Sequence, residues 1–314
     1  MITEESGKVF PRSRSASDIL DLLLSECRDT GVEIRCGEGV SRVTVDDDQS
    51  FSVLSARSSY RATDLVIATG GASYPSTGST GDGYRLAESL GHTITTPSPA
   101  LAPIYPDTYP FSHLSGISFP GTTLTLYRQG RKVMQLSGDL LLTHTGLSGP
   151  GILHMSRYAE PGDTLQVSFL ADRSATDLTR EFVAGASSEG QRLVRSFLPE
   201  YKLPARFIES ILTQAGIPGT RTLAHLTKTE RNRLVLLLSA YRFRVTRVGG
   251  YDEAMVTRGG ICVQEVDPKT MQSRLRKRLY AIGEVLDIDG DTGGYNLQAA
   301  FSTAESAAKA ILAK

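Results

Sequence analysis

The stretch Leu65-Val-Ile-Ala68 is apolar at four consecutive positions and stops at Gly70-Gly71. A strand with one wet face alternates polar and apolar residues, so an unbroken run predicts a strand covered on both faces, as in a parallel sheet flanked by helices. Leu279-Tyr-Ala-Ile282 repeats the pattern late in the chain and also runs into a glycine turn. In α/β sheets ligands bind beyond the carboxyl ends of the strands. The Ala68-Thr-Gly-Gly71 turn and the turn after Ile282 are therefore candidate site positions, with plain strand-ending turns as the alternative.

Around these strands the pattern is α/β. Ser15-Ala-Ser-Asp18 followed by Ile19, Leu20, Leu22, Leu23 and Leu24 predicts a helix with a capping box and a wide apolar face, ended at Gly31. Val32-Glu-Ile34, then Val40 to Val45, Phe51 to Leu54 and Leu65 to Ala68 read as four short strands separated by polar turns. Tyr84 to Leu90 has room for two helical turns.

From Thr96 onward prolines 97, 99, 103, 106, 110 and 120 arrive in quick succession, followed by alternating stretches such as Thr123-Leu-Thr-Leu-Tyr127. Helical spacing returns at Leu178 to Ala184, Arg192 to Leu198, Arg206 to Ala215 and Glu230 to Ala240. The expected organisation is a discontinuous α/β domain over 1–96 and 251–314, with a β-rich and helical insertion over 97–250.

Lys and Arg number 34, as do Asp and Glu, which leaves no net positive charge to collect phosphates and argues against nucleic acid as a main partner. Cys27, Cys36 and Cys262 are odd in number and form no Cys-x-x-Cys pair, so they read as buried or idle thiols of a reducing compartment. The opening residues lack an apolar leader and the longest apolar stretch, Leu234 to Leu238, is too short to cross a bilayer, so no membrane role and a cytoplasmic location are expected.

The strongest chemical signal is Ile282-Gly-Glu-Val-Leu-Asp-Ile-Asp-Gly-Asp-Thr-Gly-Gly-Tyr-Asn-Leu-Gln298, a strand, a tight turn and a helix start. Gly293 and Gly294 leave no Cβ at the helix mouth, and the first helical N–H groups have no carbonyl partners, so negative charge is welcome there. An ordinary capped helix remains the alternative. A calcium loop on Asp287, Asp289 and Asp291 fails because Thr292 and Gln298 stand where glycine and glutamate are needed. Gly78-Ser-Thr-Gly-Asp-Gly83 is neither a Walker loop nor a dinucleotide fingerprint. Gly146-Leu-Ser-Gly-Pro-Gly151 approaches a hydrolase elbow around Ser148, near His144 and His154, yet Pro150 occupies the second glycine position. Tyr74, Tyr84 and Tyr295 flank the glycine turns, where rings can stack on a planar cofactor or simply pack.

Five segments taken in order, Val66 to Tyr84, Leu142 to Ile152, Ala254 to Ile261, Thr270 to Ser273 and Gly283 to Gln298, resemble the BaiN/RdsA-type flavoproteins, also called YhiN-like. The resemblance implies a two-dinucleotide-binding FAD domain interrupted by a β-barrel-like and helical insertion, and a flavin oxidoreductase that passes hydride from NAD(P)H to FAD and on to a small organic acceptor. It places Val40 near the adenine and Ala68, Thr69, Gly70 and Gly71 along the nucleotide. Gly283 and Glu284 would lie by the ribityl and pyrophosphate, Gly294, Tyr295, Asn296 and Leu297 at the flavin pyrimidine ring, and Thr257 and Gly260 on the isoalloxazine. No side chain stands out as a proton donor.

Such flavoproteins open with a strand, a Gly-x-Gly-x-x-Gly turn, a helix and an acidic residue for the ribose, and these 314 residues hold no such fingerprint. Three explanations stay open: a shortened form of the parent, a second chain that supplies the segment, or a remnant with another role. The fold class expected is thus an incomplete FAD domain, with exposed strand edges and apolar helix faces. A non-catalytic binding or assembly module is the rival reading, and a serine hydrolase on Ser148 the third.

Overall fold

The structure, a computed structural model, describes residues 1–4 and 7–313. The chain forms two compact units. The first comprises residues 1–70, 81–96 and 259–314, and the second residues 71–80 and 97–258. Relative to the division expected from composition, the second unit runs on to Arg258 and takes in the 71–80 loop.

In the first unit the two apolar runs pair in parallel, Leu279 opposite Leu65, Tyr280 opposite Val66 and Ala281 opposite Ile67. Ile67, Leu279, Tyr280 and Ala281 are buried in a core that also takes Phe51, Ala87, Ile261, Val285 and Ala307. Beside them lies an antiparallel meander, Val40–Val45, Phe51–Ser55 and Ser59–Ala62. The expectation for Val32 to Ile34 is corrected: these residues are not a strand, because no neighbour pairs with them and both side chains stand more than half exposed. The third meander strand, Ser-Tyr-Arg-Ala, was not visible in the pattern because its side chains are polar or small.

Helix Ala16–Asp29 forms where expected, and Gly31 takes a left-handed φ of 75° past its end. Two details differ. Ser15 makes no capping hydrogen bond, and none of the helix residues is buried, with Leu20 56% and Leu22 57% exposed. The apolar stripe that predicted the helix is therefore not covered by any of the described residues. All three cysteines are free thiols, Cys36 exposed and Cys27 and Cys262 partly buried.

The second unit is built on a closed antiparallel barrel in the order Arg131–Leu142, Leu147–Ser148, Ile104–Pro106, Tyr241–Val248, Thr164–Ser168 and Ser118–Arg128. Alternation puts Leu124, Leu126, Leu165, Val167, Phe243 and Val245 inside with essentially no exposure. Helices Ala175–Ser188, Ala205–Ala215 and Lys228–Ser239 extend the same core through Phe182, Phe207, Ile211 and Leu234. Two of these helices carry complete capping boxes, at Ser174 with Asp177 and at Thr227 with Glu230. Strands Ile94–Ala100 and Val256–Ile261, which pair with each other, carry the chain between the units. The first contains Pro97 and Pro99, residues that sequence reading takes as strand breakers but that a two-stranded ribbon tolerates on its unpaired side.

A buried polar chain braces the first unit. The His92 ring, 1% exposed, meets Glu265 Oε2 through Nδ1 at 3.0 Å and Ser273 Oγ through Nε2 at 2.8 Å. The Glu265 carboxylate also accepts the Thr93 N–H at 2.9 Å. Burial raises the Glu265 carboxyl, but the hydrogen bonds from Thr93 and His92 outweigh it and hold its pKa below the ordinary value. A depressed folded pKa contributes stability that is present above the unfolded pKa, roughly 4.3 for Glu, and is lost as pH falls through the folded value. We expect the acid limb of the urea-denaturation midpoint against pH to be shallower in Glu265→Gln than in the parent, with the variant also less stable at neutral pH.

Candidate functional site

The parallel pair brings the two glycine turns together. Ile282 N–H bonds Ile67 O at 3.0 Å, so Ala68–Gly70 and Gly283–Glu284 leave the sheet side by side at its carboxyl edge. Gly70 and Gly283 both hold φ of 71°, a conformation that would strain a side chain. Thr69 packs on the start of helix Asp82–Ser89, and a Cβ at Gly83 would lie 1.9 Å from its Oγ1. That contact explains Gly83, which the sequence showed only as one of many turn-formers.

Gly260 lies against the same turn. With φ of 135° and Val285 O only 2.5 Å from where a Cβ would sit, it must be glycine for the Val256–Ile261 strand to pass this close. Ile261 O then accepts the Asp287 N–H at 2.9 Å. Val40 begins the meander and packs on the same core. Thr303, which sequence reading missed, is buried on helix Gly293–Leu312 and accepts the Gly283 N–H at 2.9 Å while donating to Ala299 O at 2.7 Å. Nothing marked it in advance, because a threonine inside an alanine-rich helix has no pattern of its own.

The mouth of helix Gly293–Leu312 is open. Thr292 caps it without a side-chain hydrogen bond, a Cβ at Gly293 would meet nothing within 4 Å, and one at Gly294 would meet only Thr292 Oγ1 at 3.8 Å. Tyr295 and Leu297 are 67% and 64% exposed. Asn296 is not free to read a ligand with its amide: Oδ1 accepts the Gly290 N–H at 3.0 Å and Nδ2 donates to Gly290 O at 3.2 Å and Thr292 O at 2.9 Å. Its side chain closes the Asp287–Thr292 loop and so sets the angle of the helix start. Gly290 in turn has no room for a Cβ, since Tyr295 Cβ would be 2.6 Å away.

Gly71 and Thr257 belong to the second unit. Thr257 is fully buried, and its Oγ1 accepts the N–H groups of Ala72 at 2.8 Å and Ser73 at 3.0 Å and contacts Ser73 Oγ at 3.0 Å. It is a positioning residue for the loop after Gly71. Tyr84 is buried while Tyr74 is half exposed at a left-handed φ of 56°.

The Gly146–Gly151 motif is architectural. A Cβ at Gly146 would sit 2.6 Å from Ile104 O, one at Gly149 2.8 Å from Asp139 O, and Gly151 lies against Gly138, so these glycines let the barrel strands close. Barrel closure thus accounts for the glycines around Ser148 that sequence reading compared with a hydrolase elbow.

The family described as HI0933-like protein Rossmann domain matches residues 1–310. The chain belongs to that family. A ribosomal RNA dihydrouridine synthase of Haemophilus influenzae is 33% identical over 98% of this chain and 75% of its own length, and one of Escherichia coli is 31% identical over 95% and 73%. A 3-dehydro-bile acid delta(4,6)-reductase of Clostridium scindens is 29% identical over 97% of this chain and 75% of its own. No helix among the described residues is long and apolar enough to cross a membrane.

The Thr303 bond yields a direct test. Thr303→Val keeps the shape but leaves the Gly283 N–H without its acceptor, a change that costs about 1–3 kcal/mol for a buried donor. Urea denaturation of the variant is expected to show that loss, and Thr303→Ser to recover most of it.

Proposed function

We propose that this chain is the flavin-binding portion of an NAD(P)H-dependent oxidoreductase whose acceptor is a ring carbon–carbon double bond conjugated to a carbonyl. The observation that carries the reading is the open, Cβ-free helix mouth at Gly293–Gly294, set beside the paired glycine turns in a chain of the HI0933-like family. The names of the relatives support the acceptor class, since forming dihydrouridine and removing a delta(4,6) unsaturation from a 3-dehydro acid are both reductions of unsaturated rings.

The residues fit FAD. Gly294, Tyr295, Asn296 and Leu297 would present the helix N-terminus to the flavin pyrimidine ring, and Gly283 and Glu284 would follow the ribityl and pyrophosphate. Ala68, Thr69, Gly70 and Gly71 would run along the nucleotide, Val40 would lie by the adenine, and Thr257 and Gly260 by the isoalloxazine. When bound, the flavin supplies the acceptance and delivery of hydride. The chain supplies charge: unpaired N–H groups at a helix start stabilise an anionic ring edge by about 0.3–1 kcal/mol, rising to about 2 when partly buried, which tunes the reduction potential. Asn296 holds that helix start in place through Gly290, and Thr257 holds the 72–73 loop.

A strand-and-helix segment bearing the Gly-x-Gly-x-x-Gly turn, from a longer form or from another chain, completes the site in this proposal. Support comes from surface that a covering element would bury: Val66, 39% exposed on a two-stranded sheet, and Tyr295, Leu297 and Phe301 along the last helix. The same surface favours a second reading, a non-catalytic assembly module.

Absorption of the purified chain in the flavin band, before and after adding FAD, separates the two. A stoichiometric band, with NADH or NADPH oxidised in the presence of a conjugated cyclic enone, is the expected result; no band in this chain or in a form carrying the extra segment overturns the reading. Gly294→Val is expected to lower flavin occupancy by more than tenfold while leaving the unfolding midpoint unchanged, because the added methyls fill open space at the helix mouth. Unchanged occupancy in that variant removes the helix mouth from the site.

A further inference from the structure

Among the described residues eight other than glycine hold a left-handed, positive φ. Five of them are exposed polar residues, and two, Leu101 and Met271, are buried, so that core packing offsets the backbone cost. Tyr74 alone combines the strain with an exposed aromatic ring: its φ is 56° and its ψ 60°, and it is 48% exposed. A bulky residue is rare in this region, and Pro75 adds to the cost because a residue before proline is pushed toward extended backbone. Among the described residues the ring makes no aromatic or cation contact and the hydroxyl no hydrogen bond.

The backbone beneath the ring is fixed. Tyr74 N–H bonds Tyr251 O at 2.9 Å, and Tyr74 O accepts the Thr77 N–H at 2.9 Å and the Thr77 hydroxyl at 2.7 Å. The two residues before it donate their N–H groups to Thr257 Oγ1, and Ser79 Oγ donates to Gly71 O at 3.0 Å. All of these anchors lie in the second unit. A strained backbone persists only where its surroundings over-determine it, as they do here. Glycine would take the same angles without strain, and no described contact of the side chain accounts for a tyrosine instead.

We propose that Tyr74 is an acceptor-binding residue, whose ring is the platform on which the flat, conjugated ring of the acceptor stacks. The proposal rests on the oxidoreductase reading for the nature of the acceptor and goes beyond it by naming the residue that holds it. Aromatic rings favour offset-stacked or edge-to-face contact with a second planar π-system. In that reading Thr257 stands by the isoalloxazine. Tyr74, one residue beyond the Ser73 that Thr257 holds, then stands at the reacting ring and not along the nucleotide. The cofactor is served in the same reading by Gly283, Gly294 and their neighbours in the first unit, whereas Tyr74 is anchored wholly in the second. An open ring on a rigid backbone sets the plane of an incoming acceptor without a loop having to order first, which is the entropic advantage of preorganisation.

The chain contains no tryptophan, so Tyr74→Trp places a single indole at this position. The test titrates its fluorescence with cyclohex-2-enone, with and without FAD and corrected for absorption. The control is Tyr158→Trp, which puts the indole on another exposed tyrosine of the second unit. Tyr74→Trp is expected to show saturable quenching by the enone, and the control only the linear quenching of random collision. Linear quenching in both variants, or quenching by FAD with no further effect of the enone, overturns the proposal. Stability gives a second readout. Tyr74→Gly relieves the backbone and removes no described hydrogen bond or ring contact of the side chain, so its urea midpoint is expected to equal or exceed that of the parent. A lower midpoint means that the ring serves packing, and overturns the proposal. In FAD-loaded enzyme Tyr74→Gly is expected to raise the KM for the enone about fivefold, the worth of one aromatic pair, and Tyr74→Phe to restore it; an unchanged KM in Tyr74→Gly overturns the proposal. The flavin absorption band is recorded in the same samples. Its absence bears on the flavin reading whatever the indole does, and its presence with linear quenching removes only the role of Tyr74.

Discussion

Every candidate site residue of the first unit depends on three rungs of parallel pairing between Leu65–Ile67 and Leu279–Ala281. A slip of one residue would turn Tyr280, which has no exposure, away from the core and would separate Ala68–Gly70 from Gly283–Glu284. Two further attachments fix the geometry beyond the strands: Thr303 takes the Gly283 N–H from the last helix, and Gly260 admits the return strand against the Val285–Leu286 backbone. The helix mouth owes its position to these contacts and to the Asn296 amide, which uses its polar atoms on the preceding loop.

Much of this was legible because it rests on local rules. Unbroken apolar runs marked the parallel strands, a glycine pair marked the last helix start, and alternation with prolines marked where the β-rich unit begins. What stayed hidden depends on partners far away in sequence. Gly83 is required by Thr69, Gly146 by Ile104 and Gly260 by Val285, and no window of neighbouring residues shows such approaches. The Val32 to Ile34 stretch has strand-like residues but nothing to pair with, so propensity misled there. Ser15 has the right type and spacing for a capping box and makes no such bond, while Ser174 and Thr227 make theirs. Thr257 and Asn296 were read by resemblance as ligand contacts, and their side chains hold loops in shape.

The family assignment rests on sequence similarity, and the site geometry on the structure alone. Sequence similarity covers nearly the whole chain, and the structure contributes an anion-welcoming helix start beside two glycine turns at one sheet edge. The other sheet edge carries cations on a loop braced by buried hydrogen bonds.

The ribbon of strands Ile94–Ala100 and Val256–Ile261 bears on the order of folding. Joining Ile67 to Leu279 directly closes a loop of roughly two hundred residues, and the entropy of that closure grows with the logarithm of loop length. Once the barrel has closed on its own hydrogen bonds and the ribbon has zipped, the chain left to close is only the short stretches on either side. A folded barrel therefore acts as a clamp that shortens the search for the parallel pair, and the carboxyl edge of that pair would be the last part of the molecule to take shape.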